Sequence, residues 1–320
     1  INFSQDYSLF AFFKKLNILK NHIIKQEIGL VHAHTLRAGF QASIIKFFFL
    51  KKLKLVYTGH GLRYTQKKNY IISLIFLNLE KVTQSISDKV IFIRKTDFNI
   101  SLKKRISESY KSIYIKTQIS LPKESSQLID IREKYNIKTK YIVINAGSIY
   151  DIKNPNLFIE IAKKTLISSR DITFIWFGDG VSRLRLNQIL KSQGLFDYIK
   201  FVGPISKEQM LSIYSQIDIF LLTSKVETFP TVILESFLSN KLVLSSNFMG
   251  VEEIISDGKT GFIYDFKNIN HTSQLIINLL NDKVKYKYIT KNANQNFQDN
   301  FNNVFNFAEI HTQIYKQLIQ

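Results

Sequence analysis

The sequence predicts an α/β protein built from two Rossmann-like parallel-sheet domains. Its 320 residues, of which 45% are hydrophobic and 22% charged, suffice for one large or two medium domains with real cores. Short apolar runs alternate with amphipathic helical stretches, a pattern typical of strand–helix units that form parallel sheets. The alternation stops near residue 120 and then restarts, which predicts a second domain.

The first domain is predicted over residues 1–120 and opens on a helix. Its candidate strands are Gly29–Ala33, Lys54–Thr58 and Lys89–Ile93. The helices predicted around these strands are Leu9–Gln26, Ala38–Lys51, Lys68–Ser87 and Thr96–Lys104.

The second domain is predicted over residues 121–301, after a poorly patterned linker, Ser120–Gln127, which contains Pro122. Its candidate strands are Tyr141–Ala146, Ile172–Phe177, Ile199–Val202, Ile217–Leu222, Leu242–Ser245 and Gly261–Tyr264. Residues 302–320 are predicted to form a closing C-terminal helix. Parallel sheets bind ligands outside the carboxyl ends of their strands, so the residues after each strand are the first candidates for a site.

The charge is concentrated in the first domain. The chain has 44 basic and 25 acidic residues, a net charge of +19, and residues 1–120 alone carry 21 basic and 6 acidic side chains. A biased nucleotide composition of the gene would raise the lysine content throughout the chain, but it would not concentrate the lysines in one half. The pattern therefore predicts an anionic partner, either nucleic acid, an acidic membrane surface or a phosphorylated substrate.

The residue types that are missing exclude several classes of protein. The chain has no cysteine, which excludes a disulfide framework, a thiolate metal site and a cysteine nucleophile. Its longest apolar stretches are far shorter than the roughly 18–20 residues of a membrane-spanning helix.

The segment ETFPTVILE, Glu227–Glu235, contains two carboxylates on either side of a predicted loop-to-helix junction. A helix that begins near Pro230 leaves the backbone N–H groups around it without intrahelical acceptors, so they can receive a phosphate. Glu235, one and a half turns into that helix, can accept hydrogen bonds from sugar hydroxyls. An ordinary surface helix with two solvated acids would show the same spacing.

The surrounding motifs resemble those of the family 4 retaining GT-B glycosyltransferases. The two glutamates, followed by MGVEE and DGKTGF, are similar to the Glu-x7-Glu, GGxPE and DGxTGxL sequences of that family. NAGSIYDIKNP, FIWFGDG and IKFVGPIS resemble further motifs of its donor-binding domain. IGLVHAHTLRAGF, VYTGHG and SDKVIFIRKTDFN resemble motifs of its first domain.

The resemblance implies roles for individual residues. The implied catalytic residues are Lys153, which neutralises the donor diphosphate, Glu227, which contacts the transferred sugar, and His60, which faces that sugar from the first domain. Glu235 is the acid that holds the ribose hydroxyls. The implied donor-binding residues are Gly147, Ser148, Lys153, Gly178, Asp179, Gly180, Val202, Thr228, Phe229, Pro230, Thr231, Val232 and Glu235.

The implied fold is GT-B, two Rossmann-like domains facing across a cleft. The implied reaction moves a sugar from a nucleotide-diphosphate-sugar to a glycan or lipid-linked acceptor with retention, and needs no metal or other cofactor. The motifs of the first domain resemble enzymes of bacterial capsule, exopolysaccharide or lipopolysaccharide synthesis. With the basic first half, this predicts a cytoplasmic protein held peripherally on the anionic inner face of the cell membrane.

The chain departs from the family pattern at several positions. Ser148 stands where an arginine is common, Thr228 where a glycine is common, and Glu252 where a proline is usual. The first strand of the family and its glycine-rich loop have no counterpart before Gly29. The first domain is therefore expected to be truncated at its start or reduced.

Several alternatives remain open from the sequence. A catalytically impaired binding protein derived from a transferase and a GT-B nucleotide-sugar 2-epimerase would share the motifs. A nucleic-acid binder would explain the charge, but no stacking-aromatic or helix-turn-helix signature supports one. His32 and His34 alternate on a predicted strand and point the same way, but no third ligand is nearby, so we expect them to shape the edge of the site and bind no metal.

Overall fold

The computed structural model describes residues 8–65, 69–119 and 129–320, and it divides the chain into two compact units. Unit 1 comprises Ile1–Thr117 together with Phe305–Gln320, and unit 2 comprises Gln118–Val304. The linker predicted at Ser120–Gln127 lies outside the described residues.

Unit 1 contains a parallel sheet in the order β1-β2-β3-β4. Its strands are β1 (Leu30–His34), β2 (Lys54–Gly59), β3 (Lys89–Phe92) and β4 (Ser112–Tyr114). Its first helices are α1 (Leu9–Lys25), α2 (Leu36–Phe48), α3 (Tyr70–Ile86) and α4 (Lys95–Lys103). All three strands predicted for this domain are present, and β4 is an additional strand at the sheet edge.

Unit 2 contains a six-stranded parallel sheet in the order β10-β9-β8-β5-β6-β7. Its strands are β5 (Tyr141–Ala146), β6 (Ile172–Phe177), β7 (Ile199–Gly203), β8 (Ile219–Leu222), β9 (Leu242–Ser246) and β10 (Phe262–Tyr264). Its helices are α5 (Ile131–Lys134), α6 (Pro155–Ser168), α7 (Arg183–Ser192), α8 (Lys207–Gln216), α9 (Thr231–Leu238), α10 (Ile269–Asn281) and α11 (Lys283–Phe301).

The sheet of unit 2 is apolar on both faces because helices cover both. Alternate residues of a strand point to opposite faces, so Ile144 belongs to one buried cluster and Val143 to the other. Helices α8, α9 and α11 contribute to the first cluster, and α6, α7 and α10 to the second. This double burial explains why the strands are continuous apolar runs in the sequence.

The last helix, α12 (Val304–Ile319), is grouped with unit 1 although it follows unit 2 in the chain. Ile314 is buried against Val56 of β2 and Ile91 of β3, and Leu318 packs on the same cluster. The helix thus covers one face of the sheet of unit 1. The α/β class with two parallel sheets, as the sequence predicted, is confirmed.

Candidate functional site

The residues with candidate chemistry in unit 2 gather at the carboxyl ends of β5 and β8. These two strands are neighbours, with Val143 paired to Ile219, although the chain forms β6 and β7 between them. The strand order therefore reverses at this point. Open α/β sheets bind ligands in the crevice outside such a switch point.

The loop after β5 turns sharply before α6 and presents Lys153. Gly147 has a φ of +148°, a backbone conformation that glycine adopts without the cost of a Cβ. Residues Asp151–Lys153 form one 3-10 turn, and Asn154 follows in the left-handed conformation with φ 56°. Pro155 occupies the first position of α6, where its missing N–H costs nothing.

Lys153 and Glu227, two of the three predicted catalytic residues, contact each other. Lys153 Nζ lies 2.5 Å from Glu227 Oε1. The side chain of Glu227 is 11% exposed and that of Lys153 27% exposed. The Ser224 hydroxyl donates to the same Oε1 at 2.6 Å. The structure thus brings together an ammonium and a carboxylate from the two loops that flank the switch point.

Buried hydrogen bonds join these two loops. The Thr223 hydroxyl donates to the Lys153 carbonyl at 2.9 Å and accepts from the Asn145 amide at 3.2 Å. The N–H of Lys225 donates to the Ile152 carbonyl at 2.8 Å. Because Asn145 and Thr223 are at most 1% exposed, the backbone that carries Lys153 is held from inside the protein.

Helix α9 begins where the sequence predicted, with Pro230 as the N-cap and Thr231 as its first residue. Thr231 and Val232 are in the first turn, whose N–H groups have no intrahelical acceptor. Thr228 and Phe229 precede the helix. The Phe229 ring packs against Phe301, with centroids 6.0 Å apart.

Glu235 lies in α9 and accepts a hydrogen bond that the sequence did not predict. The Tyr214 hydroxyl donates to Glu235 Oε2 at 3.0 Å. Burial, with the charge of Glu235 beside it, raises the pKa of Tyr214 well above its usual value. The phenol therefore remains a proton donor, and it holds the carboxylate from α8.

The loop after β6 contains the predicted residues Gly178, Asp179 and Gly180. A Cβ on Gly178 would lie 1.9 Å from the Gly147 carbonyl oxygen, and one on Gly180 would lie 2.4 Å from the Ile149 carbonyl oxygen. The Ile149 N–H donates to the Asp179 carbonyl at 2.9 Å. The two glycines therefore allow this loop to pack directly on the loop that carries Lys153.

The remaining predicted residues of unit 2 lie around this pair of loops. Ser148 is exposed, and Val202 is half-buried at the end of β7. Asp179 forms an ion pair with Arg183 at 2.8 Å, and the hydrogen bonds from Arg183 and the Gly180 N–H lower the pKa of Asp179.

His60, the third predicted catalytic residue, belongs to unit 1 and follows β2. Its Nε2 lies 3.1 Å from Nδ1 of His34, at the end of β1. Burial lowers the pKa of both imidazoles. Within the part of the chain that the structure describes, His, Cys, Asp and Glu side chains form no group of three or more suited to hold a metal ion.

The fold is α/β, and the candidate site of unit 2 lies where the strand order of its parallel sheet reverses. Residues 129–296 match the protein family described as Glycosyl transferases group 1. The match extends over more than half of the chain, and the chain belongs to this family. The predicted membership of a glycosyltransferase family is confirmed.

Curated relatives are similar along most of the chain. The phosphatidylinositol N-acetylglucosaminyltransferase GPI3 subunit of Saccharomyces cerevisiae (strain YJM789) is 24% identical over 249 residues, 78% of this chain and 54% of that protein. The chain thus spans about half the length of the yeast relative. The UDP-Gal:alpha-D-GlcNAc-diphosphoundecaprenol alpha-1,3-galactosyltransferase of Escherichia coli is 23% identical over 306 residues, 93% of this chain and 78% of that protein.

Solved structures confirm the GT-B fold. Sucrose-phosphate synthase from Thermosynechococcus elongatus superposes with a TM-score of 0.80 at 20% identity, covering 99% of this chain and 80% of that one. HepE of Anabaena, in complex with UDP-glucose, superposes with a TM-score of 0.76 at 19% identity, covering 96% of this chain and 82% of that one.

Proposed function

We propose that this protein is a retaining, metal-independent glycosyltransferase that moves a sugar from a nucleotide-diphosphate-sugar to a hydroxyl acceptor. The observation that carries the proposal is the contact of Lys153 with Glu227 at the switch point of unit 2. An ammonium beside a carboxylate, in front of a helix N-terminus, provides groups for a departing diphosphate and for a sugar in one place.

Lys153 and the first turn of α9 are the groups that receive the diphosphate in this proposal. The side chain of Lys153 is a compact point charge on a flexible stem, suited to neutralise negative charge as the leaving group departs. The N–H groups of Thr231 and Val232 and the dipole of α9 add favourable charge. Lys153 then exchanges part of its contact with Glu227 for the phosphate oxygens.

In this proposal, the bond changes are those of an attack from the front face of the donor sugar. The bond from the anomeric carbon to the β-phosphate oxygen breaks, and the nucleoside diphosphate leaves with the electron pair. The acceptor oxygen bonds to the same face of the anomeric carbon, and its proton passes to the departing phosphate. Glu227 contacts the transferred sugar, as does His60, and neither needs to act as a general base.

We assign the nucleoside to the outer part of the same crevice. Glu235, held by Tyr214, accepts hydrogen bonds from the ribose hydroxyls. The loops at Gly178–Gly180 and after Val202 lie near the base. A uridine nucleotide is the first donor class to test, since the Escherichia coli relative is named for UDP-Gal and the Anabaena structure contains UDP-glucose.

A transfer assay with UDP-sugars tests the proposal. Lys153→Met and Glu227→Gln are each expected to lower kcat by about 10²–10³, the usual cost of removing one group that stabilises the leaving charge. Lys164→Met, which removes an exposed lysine from α6, is the matched control and should retain activity. EDTA should leave the rate unchanged, and an NMR spectrum of the product should show the anomeric configuration of the donor.

Strong inhibition by EDTA would refute the metal-free mechanism, and an inverted product would refute retention. Formation of a free 2-epimeric sugar nucleotide without acceptor would favour the epimerase. Binding of UDP without turnover of any donor would favour a binding protein.

We further propose that the acceptor is lipid-linked, that the protein acts in cell-surface polysaccharide synthesis, and that it lies peripherally on the inner face of the cell membrane. The names of the yeast and Escherichia coli relatives contain a phosphatidylinositol and a diphosphoundecaprenol acceptor. Within residues 8–65, 69–119 and 129–320, no helix is both long and apolar enough to cross a membrane.

A surface of unit 1 supports membrane contact. We define the Phe47–Phe49 surface as these three phenylalanines with Ile24, Lys20, Lys51 and Lys52. Each of its four apolar side chains is at least 52% exposed. The Lys20 ammonium lies 5.0 Å from the centroid of the Phe49 ring, and an apolar cavity of about 560 Å³ opens between the ends of α1 and α2.

The charge of this region is complementary to anionic lipids. Residues 8–65 include ten basic and one acidic side chain. Exposed aromatic rings among lysines are typical of protein surfaces that insert into the headgroup region of a bilayer. Each lysine near an anionic surface contributes about 1 kcal/mol, a contribution that salt screens.

Co-sedimentation with vesicles tests this part of the proposal. The protein should bind phosphatidylglycerol vesicles at low salt, and bind phosphatidylcholine vesicles or vesicles at high salt much less. Phe48→Ser with Phe49→Ser should weaken binding, whereas Ile71→Ser, at a similarly exposed apolar position on α3, should not. No binding at low salt would refute membrane contact, and loss of binding only in Ile71→Ser would refute the assigned surface.

A further inference from the structure

Four of the six histidines of the chain gather in unit 1, at the carboxyl ends of β1 and β2 and on α12. The rings of His32 and His34 lie 4.2 Å apart between centroids, and those of His34 and His60 lie 5.4 Å apart. The ring of His311 stacks beside His32, with centroids 6.0 Å apart. The proposed function uses only His60 from this cluster.

His32 is fixed at both of its ring nitrogens. Its Nδ1 lies 2.6 Å from the Tyr315 hydroxyl of α12, and its Nε2 lies 2.7 Å from the Thr58 hydroxyl of β2. The ring of His34 lies against this immobilised ring. His34 is therefore supported on one side by an imidazole that cannot turn without losing two hydrogen bonds.

His60 stands in a different local environment. It lies between Gly59 and Gly61, and the φ of +87° at Gly61 places the chain in a turn that favours glycine. Neither glycine offers a side chain for packing. The contact between His60 Nε2 and His34 Nδ1, at 3.1 Å, thus couples an imidazole on a loop to one on a strand.

The contact also couples the protonation states of the two rings. In a hydrogen bond between two neutral imidazoles, one nitrogen carries the proton and the other accepts it. Burial, followed by the neighbouring histidines, lowers the pKa of His32 to about 4, and burial likewise lowers the pKa of His34 and His60. At neutral pH the bond between His34 and His60 therefore joins two neutral rings, and the tautomer of one sets that of the other.

We propose that His34 is a positioning residue for His60, because its Nδ1 orients the His60 ring and selects the His60 nitrogen that faces the substrate. The inference rests on the proposed function, in which His60 contacts the transferred sugar. It assigns to the second histidine of the VHAH motif a role in transfer. Second-sphere hydrogen bonds of this kind fix the ring that touches the reacting group.

Two substitutions of His34, by side chains similar in shape to each other, test the proposal. His34→Asn retains a polar atom close to the position of Nδ1, whereas His34→Leu removes it, and both remove the imidazole ring. In long-range ¹H–¹⁵N spectra of protein labelled at histidine, the Nε2 resonance of His60 should shift in His34→Leu and return toward its wild-type position in His34→Asn. With six histidines in the chain, single substitutions assign the resonances.

The kinetic measurement uses the same variants. His34→Leu should lower kcat by about tenfold to a hundredfold with little change in the donor KM, since misplacement of a catalytic group affects the chemical step. His34→Asn should retain kcat within about threefold of wild type. In a His60→Ala background, His34→Leu should have no further effect, because the residue through which it acts is gone.

The two measurements separate failure of this inference from failure of the proposed function. If His34→Leu and His34→Asn show the same His60 Nε2 resonance and the same kcat, the positioning role of His34 is refuted. If the wild-type protein transfers no sugar, the proposed function fails, and the spectra alone decide whether His34 orients His60. An equal loss of kcat from His34→Leu with and without His60 would also overturn the inference.

Discussion

Gly178→Ala tests whether the loop after β6 must pack directly on the loop that carries Lys153. In the structure, Gly178 has a φ of +149°, and its N–H donates to the Gly203 carbonyl at 2.7 Å. A Cβ at this position would lie 1.9 Å from the Gly147 carbonyl oxygen, far inside van der Waals contact. That oxygen belongs to backbone, so the clash cannot be relieved by turning a side chain.

Two effects determine how much Gly178→Ala lowers the free energy of unfolding. The backbone conformation is strained for any residue with a Cβ, at about 1–3 kcal/mol. Displacing the Gly147 carbonyl also weakens its hydrogen bond from Trp176 Nε1, which is 2.8 Å long and worth about 1 kcal/mol. We expect Gly178→Ala to lower the free energy of unfolding of unit 2 by about 2–4 kcal/mol.

Urea unfolding followed by tryptophan fluorescence measures this change. Trp176 is the single tryptophan of the chain, is fully buried in unit 2, and bonds to the carbonyl that the substitution displaces. Gly194→Ala is the matched control, because φ at Gly194 is +64° and no atom lies within 4 Å of the Cβ that the alanine adds. This substitution therefore adds backbone strain of about 1 kcal/mol without a clash. If both variants lose equal stability and the Trp176 fluorescence of folded Gly178→Ala equals that of the wild type, close packing of the two loops is refuted.

Three further predictions follow from individual contacts. Tyr214→Phe removes the hydroxyl that holds Glu235, so the Kd for UDP should rise about threefold to tenfold by calorimetry; an unchanged Kd would contradict a role for this bond. The fold favours the neutral form of His32 and lowers its pKa from 6.5 to about 4. The free energy of unfolding of unit 1 should therefore decrease as the pH falls from 6.5 to about 4. We expect a decrease of about 1–2 kcal/mol, because solvent screens the half-exposed ring. Circular dichroism in urea would show this pH dependence, and His32→Gln should reduce it. Arg94→Met leaves the buried carboxylate of Asp97 without its ion pair, and should cost about 3–5 kcal/mol in the same assay; a loss under about 1 kcal/mol would show that the charge is compensated elsewhere.

The strands of unit 2 were predicted closely because both of their faces are buried. Tyr141–Ala146 and Ile172–Phe177 have the same bounds in the structure, since a strand covered on both sides is largely apolar and stands out in the sequence. Strand β4 was missed. Its three residues, Ser112–Tyr114, are too short and too polar to produce a pattern, and only pairing with β3 defines them as a strand.

The candidate site was predicted from motifs, but its internal contacts were not. Lys153, Glu227 and Glu235 belong to segments that resemble a known family. The residues that hold them carry no local signal, because Ser224 and Tyr214 are ordinary members of a loop and a helix. Their roles depend on which carboxylate the fold brings within hydrogen-bond distance.

The sequence by itself determined the alternation of strands and helices, the two parallel sheets and the segments that carry the chemistry, because periodicity and turn residues act within a few positions. Only the tertiary structure decided which side chains meet. Lys153 and Glu227 are 74 residues apart, and His32 and Tyr315 are 283 residues apart. Contacts over such separations follow from strand order and helix packing, which no local pattern encodes.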